Sequence, residues 1–175
     1  MTYPQDFITA FDRTIGHEGK YQNHYDDRGN WTTGIVGKGV RKGTKYGISA
    51  MSYPDLNIKA LTLDQAREIY YRDFWCKLGG SKLHKAVLYQ LFDAAINHGV
   101  WRAVQFLQLS ADAKADGYYG PLTEHAVKQA DVNDVLFRYL AERLDFMNDL
   151  KTWAQFSRGW SERIALNLRL CAVDN

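Results

Sequence analysis

A mainly α-helical fold with one small β element is what this sequence predicts, and three observations carry the expectation. Apolar residues return at intervals of three and four in several separate stretches, the period of a half-buried helix. Helix start and stop signals, among them Pro4, Thr62 with Gln65, Gly99 and Pro121, punctuate those stretches. Between the first two helical stretches the composition changes. There Gly29, Gly34, Gly37, Gly39, Gly43 and Gly47 alternate with Trp31, Thr32, Thr33, Ile35 and Val36, a mixture that favours turns and short twisted strands.

Taken in order, Pro4 suits a first helical turn, and Phe7, Ile8, Phe11 and Ile15 form one face of a helix that ends near Gly16 to Gly19. The glycine-dense loop then runs to about Ser49, with its β element expected within residues 25 to 45. A structureless loop of that length is uncommon in a compact protein unless it binds or catalyses something. The second helix opens on the capping box Thr62 and Gln65, buries Ala66, Ile69, Tyr70 and Phe74, and ends near Trp75 to Gly79. The third, from Lys82 to His98 with Gly99 as its stop, is apolar around most of its circumference and is expected to be the central helix. A helix over Val100 to Leu109 follows. The turn from Ala115 to Gly120 then leads to Pro121, pre-set to open the next helix, and two more amphipathic helices are expected over Val135 to Leu150 and Trp160 to Leu170.

Bulk properties narrow the function classes. With 175 residues, one compact unit that can divide into two lobes is expected. Lys and Arg number 22 against 20 Asp and Glu, and the resulting +2 is too small for a dedicated nucleic-acid surface, though compatible with an acidic polymer. The spacing of Arg158, Arg163 and Arg169 is that of a solvated helix face. The N-terminal stretch has no basic segment followed by an apolar one, and no run is long enough to span a membrane, so a chain made in the cytoplasm without stable membrane association is expected. Cys76 and Cys171 lie far apart outside any CxxC pattern and read as small buried apolar residues. Most of the five tryptophans are assigned to the core. No metal and no cofactor are expected, because His17 and His24 stand at neither helical nor loop-ligand intervals from Glu18.

The chemistry is expected around Glu18, within His17 to Tyr21. A carboxyl at a helix end facing a polar loop can be partly desolvated while a second acid stays wet, which separates their pKa values. Such a pair can perform acid/base chemistry on an acetal. An ordinary solvated glutamate among ordinary turns would look the same in this segment. The third helix adds a polar stripe: Gln90, Asp93 and Asn97 share one side of an apolar rod. They are either partners for neighbouring helices or substrate-binding groups on the floor of a cleft.

Five strings in order, HEGKY at His17, GTKYGIS at Gly43, SYPDL at Ser52, LFDAAINHG at Leu91 and ADGYYGPLT at Ala115, resemble the glycoside hydrolase family 108 muramidases and the predicted peptidoglycan-binding region that follows them. The resemblance implies a lysozyme-like helical fold, 1–98 as the catalytic lobe, 99–175 as a peptidoglycan-binding lobe, and an endolysin acting as a monomer on bacterial peptidoglycan. It also implies synthesis in a bacterial cytoplasm and action on the wall in the periplasm after release. Carried onto this chain, the family's catalytic acid is Glu18, with Lys20 replacing the second glycine of the E-G-G-Y motif. Asp27 follows Glu18 by nine positions, the spacing of the two acids in phage-type lysozymes, and Asp26 is its neighbour. Thr44 resembles the catalytic threonine of those enzymes, and Tyr46 is expected to pack beneath a sugar or hydrogen-bond Glu18. Where some family members carry a glutamate shortly before the T-x-Y-G-I element, this chain has Val40 and Arg41. A non-catalytic peptidoglycan-binding module and a chitinase or chitosanase are the alternative readings.

Overall fold

The computed structural model describes residues 2–15, 20–79 and 82–175, and packing divides the chain into two units, 1–72 and 73–175. The expected boundary at 98 moves to the end of the second helix. The reason is the third helix, which packs on three helices that follow it and so falls within the second unit.

In the first unit, α1 (Gln5–Thr14) starts where Pro4, lacking an N–H, still offers its carbonyl to Ile8 at 3.1 Å. Phe7 and Phe11 are completely buried on its inner face. They meet α2 (Leu63–Asp73) through edge-on contacts with Tyr71 and Tyr70, at centroid distances of 5.0 and 5.7 Å. The capping box forms as expected: Thr62 N–H donates to Gln65 Oε1 at 2.9 Å, and Gln65 N–H donates to Thr62 Oγ1 at 3.2 Å.

The intervening loop contains one antiparallel hairpin, β1 (Thr44–Lys45) with β2 (Ile48–Ser49), in the register Thr44 to Ser49 and Lys45 to Ile48. Its two-residue turn has φ of 52° at Tyr46 and 74° at Gly47, the left-handed pair that matches strand twist. Thus β1 falls at the very end of the expected span of 25 to 45 and β2 lies beyond it. Within residues 31 to 41 pairing reduces to one bridge, Trp31 to Arg41, because Gly34, Gly37 and Gly39 each turn the chain at positive φ. Ile35, Val36 and Val40 are left exposed at the loop tip.

Helices joined by turns, with no strand among its described residues, make up the second unit. Helix α3 (Lys85–His98) is buried without interruption from Ala86 to Ala95 and packs against α4 (Val100–Ser110), α6 (Val132–Asn148) and α7 (Trp153–Asp174). Between α4 and α6 lies α5 (Pro121–Gln129), opened by its proline. Asp131 caps α6, accepting the N–H groups of Asn133 and Asp134, so that helix starts three residues earlier than the apolar pattern indicates. Helix α7 also starts early, at Trp153. Its first turns bring Trp153 and Phe156 each against Trp160, with centroids 5.9 and 5.7 Å from that ring, a cluster that Gln155, Ser157, Arg158 and Gly159 conceal in the sequence.

Cys171 is buried as expected, but Cys76 is exposed, because in the single 3-10 turn Trp75–Lys77 only Trp75 is buried. Trp31 and Trp75 are core residues, whereas Trp101 is exposed and Trp153 and Trp160 are half-buried. Among the described residues no helix is long and apolar enough to cross a membrane.

Candidate active site

The loop of the first unit gathers two of the expected site residues into one hydrogen-bonded chain. Asp27 ends the approach to a 3-10 turn, Arg28–Asn30, and its Oδ1 accepts the Gly29 N–H at 2.8 Å. Its Oδ2 accepts from Gln22 Nε2 at 2.8 Å. The carbonyl oxygen of that amide, Gln22 Oε1, accepts from Asn30 Nδ2 at 2.8 Å, and Asn30 Oδ1 accepts from the Thr44 hydroxyl, also at 2.8 Å. A carboxylate can only accept, so Gln22 must turn its amide hydrogens toward Asp27, which leaves its oxygen for Asn30. The same logic leaves the Asn30 oxygen for Thr44. The carboxylate of Asp27 thereby sets the polarity of the whole chain, and the Thr44 oxygen keeps its lone pairs for a further donor.

Backbone geometry holds this chain in register. Gln22 and Thr44 exchange N–H to C=O bonds at 2.9 Å in each direction, and the Asn30 carbonyl accepts from Lys42 and Gly43. Gly43 is required here: at φ +84°, a Cβ would lie 2.5 Å from the Gln22 carbonyl. Asn30 itself is fully buried, so its three side-chain hydrogen bonds, including donation to the His24 carbonyl at 2.9 Å, are what allow a polar side chain there.

Asp26 and Asp27 are both exposed. Tyr46 is half-buried at the hairpin turn, its carbonyl accepting from Tyr70 Oη at 3.0 Å and its ring 5.3 Å from Lys45 Nζ. Glu18, with Gly16, His17 and Gly19, lies outside the described residues. Gln22 and Asn30 were not marked by the sequence: they stand eight positions apart, and the bridge between Gln22 and Thr44, with the bonds from Lys42 and Gly43 to the Asn30 carbonyl, brings them together.

The polar stripe of α3 serves a different purpose from a cleft floor. Asp93 is buried and accepts from Arg143 Nη2, Arg163 Nη1 and Asn167 Nδ2, all at 2.9 Å. Burial alone would raise its carboxyl, but the two guanidinium charges and the hydrogen bonds from Asn167 and Arg143 outweigh it and hold the group below the ordinary carboxylate range. Gln90, buried as well, donates to the Asn167 carbonyl at 3.3 Å. Asn97 is exposed and donates to the Asp93 carbonyl at 2.7 Å within its own helix. Gln90 and Asp93 are therefore corrected from substrate-binding groups to core partners of α6 and α7. Two apolar hollows of the second unit, one beside Phe137 and Leu168 and one beside Val87 and Val127, are lined by no carboxylate side chain. Among the described residues no three His, Cys, Asp or Glu side chains gather as metal ligands would.

Residues 11–99 match the family model for Glycosyl hydrolase 108, and the chain belongs to that family. This makes it a glycoside hydrolase of a family that acts on peptidoglycan. A solved structure described as that of Brucella abortus SagA is similar, with a TM-score of 0.80 and 27% identity over 96% of this chain and 94% of that one. No curated protein matches the chain.

Proposed function

We propose that this protein is an N-acetylmuramidase that cleaves the β-1,4 bond between N-acetylmuramic acid and N-acetylglucosamine in peptidoglycan. The observation that carries the reading is the Thr44, Asn30, Gln22, Asp27 chain, which lies in the family-matched segment on the glycine-rich loop of the first unit. Glu18 donates its proton to the leaving glycosidic oxygen, and Asp27 acts as the carboxylate partner on water or on the oxocarbenium-like centre. The Thr44 hydroxyl hydrogen is committed to Asn30, so its oxygen accepts from the attacking water and turns a water lone pair toward the sugar.

The residues past 98 form the second part of the proposal, as a lobe that holds the wall polymer. The support is a pair of exposed rings: Tyr118 on the turn after α4, and Trp101 in the first turn of α4, whose indole N–H reaches the Asp116 carbonyl of that later turn at 3.0 Å.

Digestion of purified murein, with the new reducing terminus identified by mass spectrometry, tests the bond assignment. N-acetylmuramic acid is expected at that terminus. N-acetylglucosamine there would move the enzyme to a different specificity. Glu18→Gln is expected to abolish clearance, and Asp27→Asn to lower kcat about 10²-fold, within the range of acid/base contributions. Wild-type clearance by Glu18→Gln would remove Glu18 from the mechanism.

A further inference from the structure

We propose that Arg41 selects carboxylate-bearing glycan, gripping an acidic group of the muramyl unit from a fixed aromatic corner beside the Asp27 network. The inference rests on the muramidase reading and assigns that site a charge preference.

Trp31 and Tyr25 meet edge to face, their ring centroids 5.2 Å apart and their planes at 89°. The corner is fixed from below, because Trp31 is 8% exposed and its indole N–H donates to the Tyr25 carbonyl at 2.8 Å. Tyr25 stays 54% exposed and forms the outer wall. The guanidinium of Arg41 lies in this corner, 5.5 Å from the Tyr25 centroid and 5.9 Å from that of Trp31. A guanidinium is weakly hydrated and stacks on ring faces, and stacking leaves its N–H edge available.

Among the described residues that edge has no taker. Lys42 and Lys45 each donate to a backbone carbonyl, of Pro54 and Lys59, whereas among the described residues Arg41 forms no hydrogen bond or ion pair. An exposed arginine whose side chain is already ordered by two rings has lost its conformational freedom before binding, and its planar fork matches a carboxylate with two parallel bonds. Its place in the loop ties it to the candidate active site. Arg41 bridges Trp31, which follows Asn30, and the next two residues, Lys42 and Gly43, donate their N–H groups to the Asn30 carbonyl.

In peptidoglycan the carboxylate has two sources. Intact wall carries stem-peptide carboxylates, and its lactyl groups are locked in amide bonds. Strands stripped by an amidase expose the lactyl carboxylate itself. The test compares wild type, Arg41→Gln and Arg41→Lys on intact soluble peptidoglycan, on amidase-stripped strands, and on stripped strands whose carboxyls are capped with methylamine.

Losing a charge-assisted fork is expected to raise KM about tenfold or more with little change in kcat. Arg41→Lys should recover part of the loss. An effect confined to intact material identifies the stem peptide, one confined to stripped strands identifies the lactyl group, and capped strands should show none. The proposal is overturned if Arg41→Gln matches wild type on both charged substrates, or loses as much on capped strands. Should the wild type cleave none of them, the muramidase reading fails by itself. Calorimetric Kd values for stripped and capped strands, on wild type and Arg41→Gln, then decide whether Arg41 reads charge.

Discussion

At the scale of single residues, Asn30 does more than either of the site residues it connects. Its amide is fully buried, gives hydrogens to Gln22 and to the His24 carbonyl, and takes one from Thr44. Asn30→Ala would leave those three groups without their partner. Each unsatisfied buried polar group costs about 1–3 kcal/mol, partly recovered where water enters, so a net loss of roughly 2 kcal/mol is expected. Urea unfolding measures it. A midpoint unchanged from wild type would mean that the chain of bonds does not hold the loop. Asp27, Thr44 and Tyr46 could be nominated from the sequence because motif and spacing mark them. Asn30 and Gln22 could not, since an amide that accepts with one atom and donates with another leaves no periodic trace.

At the scale of elements, the β1 to β2 hairpin depends on its turn. Gly47 has φ +74°, and a Cβ there would lie 2.5 Å from the Tyr70 hydroxyl, the group that donates to the Tyr46 carbonyl. Gly47→Ala therefore combines left-handed strain with a clash, and a loss of roughly 2 kcal/mol is expected. In a Tyr70→Phe background the clash is relieved and the strain remains, so the cost of Gly47→Ala should shrink without vanishing. A thermal-melt double-mutant cycle reads this directly. Equal costs in the two backgrounds would assign the whole effect to backbone strain. Most helices were legible to within a few residues because period and caps are local signals, whereas α7 begins at Trp153, well before its expected start at Trp160. The strands were displaced from their expected span because two-residue strands are held by tertiary bridges and by glycine turns, which β propensity does not encode.

At the scale of the whole molecule, the second unit is built around ionisable groups that titrate on folding. His98 sits edge-on between Phe106 and Phe146, at 5.8 and 5.5 Å. Burial first, then the Arg143 charge, push its imidazole down to about 4 against a contrary pull from Asp93. The unfolded chain binds that proton near pH 6.5 and the folded chain does not, so this stability is fully present above 6.5 and is lost as pH falls toward 4. The loss is expected to reach roughly 2 kcal/mol, after discounting for solvent that reaches the ring. Asp93 adds a second loss at more acid pH, because its carboxyl is held below 3.8 and its contribution disappears as pH falls through that lower value. Melting wild type and His98→Phe between pH 7 and 4 separates the two: the variant should show a flatter profile in this window. Identical profiles would mean that His98 does not report on folding.

What the sequence determined alone was the helical class, the order of the elements, the caps at Pro4, Thr62 and Pro121, and the loop where Asp27 and Thr44 lie. All of these follow from interactions within a few residues of chain. Only the tertiary structure decided that Asp93 and Gln90 serve the core, that Gln22 and Asn30 connect Asp27 to Thr44, and that Arg41 occupies an aromatic corner. Each of those outcomes depends on partners far away in the chain. Asp93 meets Arg143, Arg163 and Asn167 across helices, and whether a polar side chain becomes a core partner or a site residue is settled by what packing places opposite it.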